Sequence, residues 1–183
     1  MAKVFLNPGH DELDLKGTPD YDPGACNSYL DMAENEVALA VGQLVEKYLT
    51  DAGCEVQLLQ SESLSGIYEA ANEWGADLFV SIHCNAYNET AHGVETLTHP
   101  TDREGHKLAA CIQSQILDTF EELLDRGVKD RDNLAVLNGT DMTAVLVELA
   151  FIDNTSDALL LRDRQDDFAR AVARGVTDYL SGV

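Results

Sequence analysis

The chain has 183 residues, of which 12 are basic and 33 are acidic, and its formal net charge is −21. We expect no binding to nucleic acid or to an anionic membrane surface, since both depend on clustered lysine and arginine. Hydrophobic residues make up 45% of the chain, enough for the core of one domain of this length. No segment approaches the roughly 18 apolar residues of a membrane span, so we also expect no membrane insertion.

The first half of the chain alternates strand and helix patterns. A short apolar strand at residues 4–6 ends at the turn-forming residues Asn7-Pro8-Gly9, and an aperiodic polar loop follows at residues 11–27. Four further elements are predicted, namely a helix at 33–52, a strand at 54–59, a helix at 64–74 and a strand at 77–83. Gly53 and Gly75 follow the two helices, where glycine commonly ends a helix.

The second half continues this alternation. The patterns predict a strand at 94–98, a long helix at 103–125, strands at 134–137 and 144–149, and helices at 155–161 and 166–180. Strands that alternate with helices indicate a mostly parallel sheet. We therefore predict an α/β fold, a single-domain sandwich over residues 1–183 in which helices flank a mostly parallel, twisted sheet of about six strands.

Three predicted strands lead into side chains that can bind a metal or transfer a proton. His10 follows the first strand, His83 ends the third, and Glu148 lies near the end of the last. Ligands of open α/β sheets bind beyond the carboxyl ends of the strands, so we expect these side chains to lie close together. Taken singly, His10 could instead be a loop histidine bonded to backbone, and Glu148 a buried structural carboxylate.

The helix predicted at residues 33–52 distinguishes two glutamates. At 100° per residue, Glu34 lies in line with the apolar stripe of this helix, and Glu36 faces about 160° away from it. A buried carboxylate has to be paired, protonated or bound to a metal, so Glu34 is the candidate. The alternative is a capping box, in which Asp31 caps the helix and Glu34 bonds back to its amide. Two histidines and one glutamate, with a fourth position open, are the ligand set of hydrolytic zinc sites.

Five segments carry these residues and follow one another along the chain. They are Asn7-Pro8-Gly9-His10, Glu34 with its spacing to Gly53, Ser81-Ile82-His83-Cys84-Asn85-Ala86, Asp125-Arg126-Gly127-Val128-Lys129 with the following Leu134-Ala135-Val136-Leu137, and residues 145–154. In this order and separation they resemble the amidase-3 family, the zinc-dependent N-acetylmuramoyl-L-alanine amidases of cell-wall hydrolases and phage endolysins. The first motif departs from the family's Asp-Pro-Gly-His in its first residue, Asn7.

The resemblance implies that His10, Glu34 and His83 bind Zn²⁺ and that Glu148 is the catalytic acid and base. It also implies hydrolysis of the amide bond between N-acetylmuramic acid and the L-alanine of the stem peptide, so the expected substrate is peptidoglycan or a muropeptide. Asn85 is a candidate for orienting ligands or substrate.

The same resemblance implies action at the cell wall. The first residues, Met1-Ala2-Lys3, lead directly into an apolar strand and show no cleavage site of a signal peptide. We therefore expect either cytoplasmic synthesis followed by release on lysis, or a domain excised from a longer protein.

Three alternatives remain open. A zinc carboxypeptidase or other peptidase would cut within the stem peptide and would need a basic pocket for a terminal carboxylate, for which Arg103, Lys129 and Arg131 are the candidates. A non-enzymatic binding domain on the same fold would have lost its metal site, which the presence of all four site residues disfavours. A phosphate-binding protein is disfavoured because the chain lacks the glycine-rich loops of such proteins.

Overall fold

The computed structural model describes residues 1–11, 16–17 and 21–182. The strands are β1 (Lys3–Pro8), β2 (Cys26–Asn27), β3 (Met32–Ala33), β4 (Glu55–Leu58), β5 (Leu78–Asn85), β6 (Val94–Thr98), β7 (Asp125–Asp130) and β8 (Thr143–Phe151). The helices are α1 (Glu34–Asp51), α2 (Leu64–Trp74), α3 (Arg103–Thr119), α4 (Ala135–Gly139), α5 (Thr155–Asp163) and α6 (Gln165–Ser181). None of these described helices combines the length and the apolar character that crossing a bilayer requires.

Six of the strands form one sheet in the order β4-β1-β5-β8-β6-β7. Within this described sheet, four of the five neighbouring pairs are parallel, and β6 with β8 is antiparallel. The last strand of the sequence, β8, therefore lies in the middle of the sheet, between β5 and β6. The predicted α/β fold with a mostly parallel sheet of about six strands is confirmed.

Helices cover the two faces of the sheet unequally. One face packs against α1, α3 and α6 in the larger core, to which alternate strand residues such as Val80 and Val147 contribute. The other face packs against the shorter α2 and α4 around Phe79 and Leu146. Since side chains alternate along a strand, His83 and Glu148 lie on this second, less covered face.

Two predictions in the second half of the chain are wrong. The helix predicted to reach residue 125 ends at Thr119, and Asp125–Asp130 forms the edge strand β7. Charged residues are typical of edge strands, and because of them the sequence of β7 shows no apolar alternation. The strand predicted at 134–137 is the start of helix α4, which buries Val136 and Leu137. An apolar run of only four residues does not distinguish a buried helical turn from a strand.

The loop predicted at residues 11–27 is described only in part, because residues 12–15 and 18–20 lie outside the described residues. At its end, β2 pairs with β3 in a short antiparallel ladder that the sequence analysis did not predict. Asn27 ties this ladder to the turn after β8, because its Nδ2 donates a 2.8 Å hydrogen bond to the carbonyl of Ile152. The ladder leads directly into α1 and so fixes the position of Glu34.

Candidate metal centre

The three predicted metal ligands lie together at the carboxyl edge of the sheet. His10 follows β1, Glu34 is the first residue of α1, and His83 lies near the end of β5. One potential ligand atom from each of them lies within 4.8 Å of the other two. Glu34 bridges the two imidazoles, with Oε2 3.0 Å from His10 Nε2 and Oε1 2.8 Å from His83 Nδ1.

Glu34 is buried, as the helical-face argument predicts. Its side chain is 5% exposed, whereas that of Glu36 is 38% exposed and pairs with Lys16 at 2.7 Å. The capping-box alternative is wrong, because α1 is preceded by Ala33 as its N-cap and Asp31 lies two residues further out with φ 52°. The Glu34 carboxylate instead accepts hydrogen bonds from the backbone amides of Ala25 and Cys84.

The charges at the centre stabilise one another. Burial alone would raise the pKa of Glu34, but the hydrogen bonds from His10 and His83 outweigh it and hold the pKa of this carboxyl well below its usual range. Burial alone would lower the pKa of His10, but the hydrogen bonds and charges of Glu34 and Asp22 raise it from 6.5 to about 9. The cluster is therefore a carboxylate held between two imidazoles.

Asp22 holds the His10 ring from the side opposite Glu34. Its Oδ2 lies 3.1 Å from His10 Nδ1, and the backbone N–H of Gly24 donates to its Oδ1. A carboxylate on the second ring nitrogen of a histidine is the usual means of orienting a metal-binding imidazole. Asp22 was not predicted, since an acidic residue in a polar loop carries no signal of its own in the sequence.

Two glycines leave room for the imidazole rings of His83 and His10. A Cβ atom on Gly9 would lie 2.2 Å from Cε1 of His83, and one on Gly24 would lie 2.5 Å from Cδ2 of His10. Gly24 also has φ +71°, which a larger residue adopts only with strain. The main chain thus passes so close to both rings that glycine is required at these positions.

Glu148 lies beside the centre on the neighbouring strand. It is in register with His83 across the parallel pair of β5 and β8. Its Oε2 is buried and has no hydrogen-bond partner within the described part of the chain. Burial raises the pKa of Glu148 to about 7; the nearby His83 opposes this, and the charges of Glu34 and Glu95 add to it. Such a carboxyl can take up and release a proton near neutral pH.

Asn85 does not contact the three ligands through a hydrogen bond, although the sequence analysis named it as a candidate for orienting them. Its Nδ2 donates instead to Oε1 of Glu95 at 3.0 Å, and the other oxygen of Glu95 accepts from Nε of Arg126 at 3.0 Å. Neither Glu95 nor its contact with Arg126 was predicted, because residues 126–130 were not recognised as a strand.

Asn7, the departure from the family motif, has a specific structural role. Its Oδ1 accepts a 2.8 Å hydrogen bond from Ser81 Oγ, and its Nδ2 donates to the carbonyls of Pro8 and Leu59. An aspartate carboxylate at this position has no N–H group and could not donate hydrogen bonds to these two carbonyls. The asparagine therefore ties the end of β1 to β5 and to the residue that follows β4.

Comparison with known proteins is consistent with this geometry. A model of the amidase-3 family, described as N-acetylmuramoyl-L-alanine amidase, matches residues 4–178. The chain belongs to this family. It is 34% identical to the sporulation-specific N-acetylmuramoyl-L-alanine amidase of Bacillus subtilis, over 96% of this chain and 65% of that protein. It is 33% identical to the N-acetylmuramoyl-L-alanine amidase CwlM of Bacillus licheniformis, over 99% of this chain and 68% of that protein.

The family fold is also seen in solved structures. The N-acetylmuramoyl-L-alanine amidase AmiC2 of Nostoc punctiforme superposes with a TM-score of 0.87 at 28% identity, over 98% of this chain and 97% of that one. By contrast, this chain spans about two-thirds of the length of the two Bacillus relatives.

Within this family fold, Gly9→Ala will displace the His83 ring. The added Cβ cannot remain 2.2 Å from Cε1 of His83, so we expect purified Gly9→Ala to hold less zinc than the wild type. Gly53→Ala is the control, because Gly53 also ends an element but has open space around its Cβ position. That variant is expected to melt at a lower temperature, since its φ is +91°, and to keep its zinc. Equal zinc contents in both variants would contradict the prediction.

The stability of the metal-free protein will fall as the pH rises. The pKa of His10 is raised from 6.5 to about 9 in the folded state, so its proton stabilises the fold fully below pH 6.5. This contribution is lost as the pH rises through 9. We expect the melting temperature of EDTA-treated wild type to approach that of EDTA-treated His10→Gln across this window. If the difference in melting temperature between the two proteins stays constant from pH 6.5 to 9, His10 is not held as a cation.

Proposed function

We propose that this chain is a zinc-dependent amidase that hydrolyses the bond between N-acetylmuramic acid and the L-alanine of the peptidoglycan stem peptide. In this proposal His10, Glu34 and His83 hold the zinc ion, and Glu148 is the catalytic acid and base. The observation that carries it is the convergence of these four side chains at one edge of the sheet, in a chain that belongs to the amidase family.

The donor set fits zinc. Two imidazole nitrogens and one carboxylate oxygen are common zinc ligands, and three protein ligands leave a fourth position open, as in catalytic sites. The contact of Asp22 with His10 supplies the outer hydrogen bond that such ligands need. When bound in such a site, zinc lowers the pKa of water to about 7 and polarises a carbonyl group.

The role of Glu148 follows from its position and its surroundings. Its carboxylate lies on the strand next to His83 and on the same face of the sheet. With a pKa raised by burial to about 7, it can accept a proton from the attacking water at Oε2. It can then deliver that proton to the amine that leaves when the C–N bond breaks. Asp22 meanwhile keeps the imidazole of His10 in position, and Glu148 is the group that moves the proton.

A cavity of about 310 Å³ opens beside His10 and His83 and provides room for part of the substrate. Among the described residues its lining contains no lysine or arginine, and it includes the carboxylates Asp11, Asp22 and Glu62. A carboxypeptidase would need a cation here to hold the terminal carboxylate of its substrate. The acidic lining therefore supports cleavage at the sugar–peptide junction over the peptidase alternative.

The candidate cations of that alternative lie elsewhere. Arg103 begins α3, Lys129 lies on β7, and Arg131 follows β7. None of them lines the cavity beside the two histidines. Peptidoglycan or a muropeptide thus remains the proposed substrate and the cell wall the proposed place of action.

The products of digestion test this proposal. Purified protein is incubated with peptidoglycan of known structure, and the released fragments are analysed by mass spectrometry. We expect stem peptides with a free L-alanine amino terminus and without muramic acid, loss of activity with EDTA, and recovery on addition of about one zinc per chain. Peptides with new amino termini inside the stem would favour the peptidase instead, and full activity in EDTA would refute the zinc site.

A further inference from the structure

Four side chains form a row across neighbouring strands on the face that carries the candidate metal centre. His83 of β5 is in register with Glu148 of β8, and Glu148 is in register with Glu95 of β6. Residues directly opposite each other in a sheet project from the same face. Arg126 of β7 continues the row, because its Nε donates to Oε2 of Glu95. The row therefore leads from the centre to the edge of the sheet.

A β-bulge lies next to Arg126, where β7 pairs with β6. Val94 pairs with Asp125, and Thr96 pairs with Val128, so that Glu95 lies opposite two residues of β7. The second of these two residues is Gly127, with φ +78°. A bulge of this kind changes the direction of a side chain on an edge strand. Arg126 is the first of the two residues, so it lies opposite Glu95, and the extra residue Gly127 follows it.

The guanidinium of Arg126 contacts Glu95 and the ring of Phe151, and some of its N–H groups remain available as hydrogen-bond donors. Its Nε bonds to Glu95, whose other oxygen is fixed by Asn85, and its Cζ lies 4.8 Å from the centre of the Phe151 ring. The side chain is nevertheless 32% exposed, and its Nη1 and Nη2 have no hydrogen-bond acceptor among the described residues. The planar guanidinium matches the geometry of a carboxylate, and a side chain whose position is already fixed loses little entropy on binding one.

We propose that Arg126 binds a carboxylate on the peptide part of the substrate. This inference rests on the proposed function and deepens it. Neighbouring strands lie about 4.8 Å apart, so Arg126 is about 10 Å from Glu148 along the row. An extended peptide covers this distance in about three residues. The carboxylate therefore belongs to the second or third residue beyond the bond that is cut, which is too far for the terminal carboxylate of a carboxypeptidase substrate.

The overall charge of the chain makes such a contact useful. With a net charge of −21, the protein repels an anionic peptide at long range. The cation at the end of the row offsets this repulsion at one point. It thereby selects peptides that keep the carboxylate over peptides in which it has been converted to an amide.

The test uses two synthetic N-acetylmuramoyl peptides that differ in one group, a free carboxylate or its primary amide on the second or third residue. Binding is measured by calorimetry with Glu148→Gln, which slows turnover, and mass spectrometry of the titrated sample checks that both peptides remain uncleaved. We expect the acid to bind about 10- to 100-fold more tightly than the amide, as befits a charge-assisted contact. Adding Arg126→Gln should abolish the difference, and Arg126→Lys should restore it only in part.

Lys129→Gln is the matched control, because Lys129 is a cation of the same strand on the residue that pairs with Leu97. It should leave the preference for the acid unchanged. The proposal is overturned if acid and amide bind equally to the parent, if neither binds, or if Arg126→Gln weakens both alike, as loss of a merely structural ion pair would. Cleavage by the wild type is assayed separately, so a failure of the proposed function is seen independently.

Discussion

Replacing Glu148 with glutamine will lower the rate of amide hydrolysis by about 10²–10⁴-fold, the usual contribution of a general acid and base, while the protein keeps its zinc. Glutamine has nearly the same shape as glutamate but cannot accept a proton from water. The buried carboxyl lies beside His83 without bonding to the other site residues, so its loss should not disturb the ligands. The measurements are release of stem peptide and zinc content per chain.

Glu55→Gln provides the control for this variant, since Glu55 is an exposed glutamate on the edge strand β4. It should retain full activity and full zinc content. Loss of zinc in Glu148→Gln would mean that Glu148 is a ligand and that the roles have been assigned wrongly. Wild-type activity in Glu148→Gln would remove it from the mechanism altogether.

Replacing Glu34 with glutamine will release the zinc ion and with it the activity. Glu34 provides the carboxylate between His10 and His83, and an amide is a much weaker zinc ligand. Loss of an outer hydrogen-bond partner of a zinc ligand already costs about 10- to 100-fold in affinity, so loss of the ligand itself should cost more. Zinc affinity is measured by competition with a chelator of known strength.

Glu36→Gln is the matched control on the same helix, two residues further along. Glu36 is 38% exposed and pairs only with Lys16 among the described residues, so its neutralisation should change neither zinc affinity nor activity. The reverse result, with zinc lost in Glu36→Gln and kept in Glu34→Gln, would disprove the assignment of the inward-facing carboxylate. Far-ultraviolet circular dichroism shows whether either variant has unfolded.

The sequence was informative about the fold wherever burial imposes a pattern. The central strands β5 and β8 and the helices α1 and α6 carry apolar periodicities that follow directly from what they contact. The edge strand β7 and the short helix α4 carry no such signal. In β7 the charged residues face solvent and Glu95, and in α4 the buried run is too short to have a period.

The same distinction applies to the site. His10, Glu34, His83 and Glu148 could be named from sequence, because each is a polar residue at the end of an apolar element. Asp22 and Glu95 could not be named in this way, since their roles depend on contacts between segments that are distant in sequence. Asp22 contacts His10, which is 12 residues away in sequence, and Glu95 contacts Arg126, which is 31 residues away. Such contacts are set by tertiary structure, which no local pattern reveals.

The central position of β8 has a consequence for how the enzyme comes into being. Until this strand is synthesised and inserted, β4-β1-β5 and β6-β7 are separate halves with no hydrogen-bonded pairing between them. Pairing of strands so distant in sequence is a slow and late event in folding. Since β8 also carries Glu148, the proposed catalytic carboxyl joins His10, Glu34 and His83 in the same step that completes the sheet. We therefore expect a fragment that ends before β8 to be inactive, because it lacks both the central strand and the proposed catalytic carboxyl.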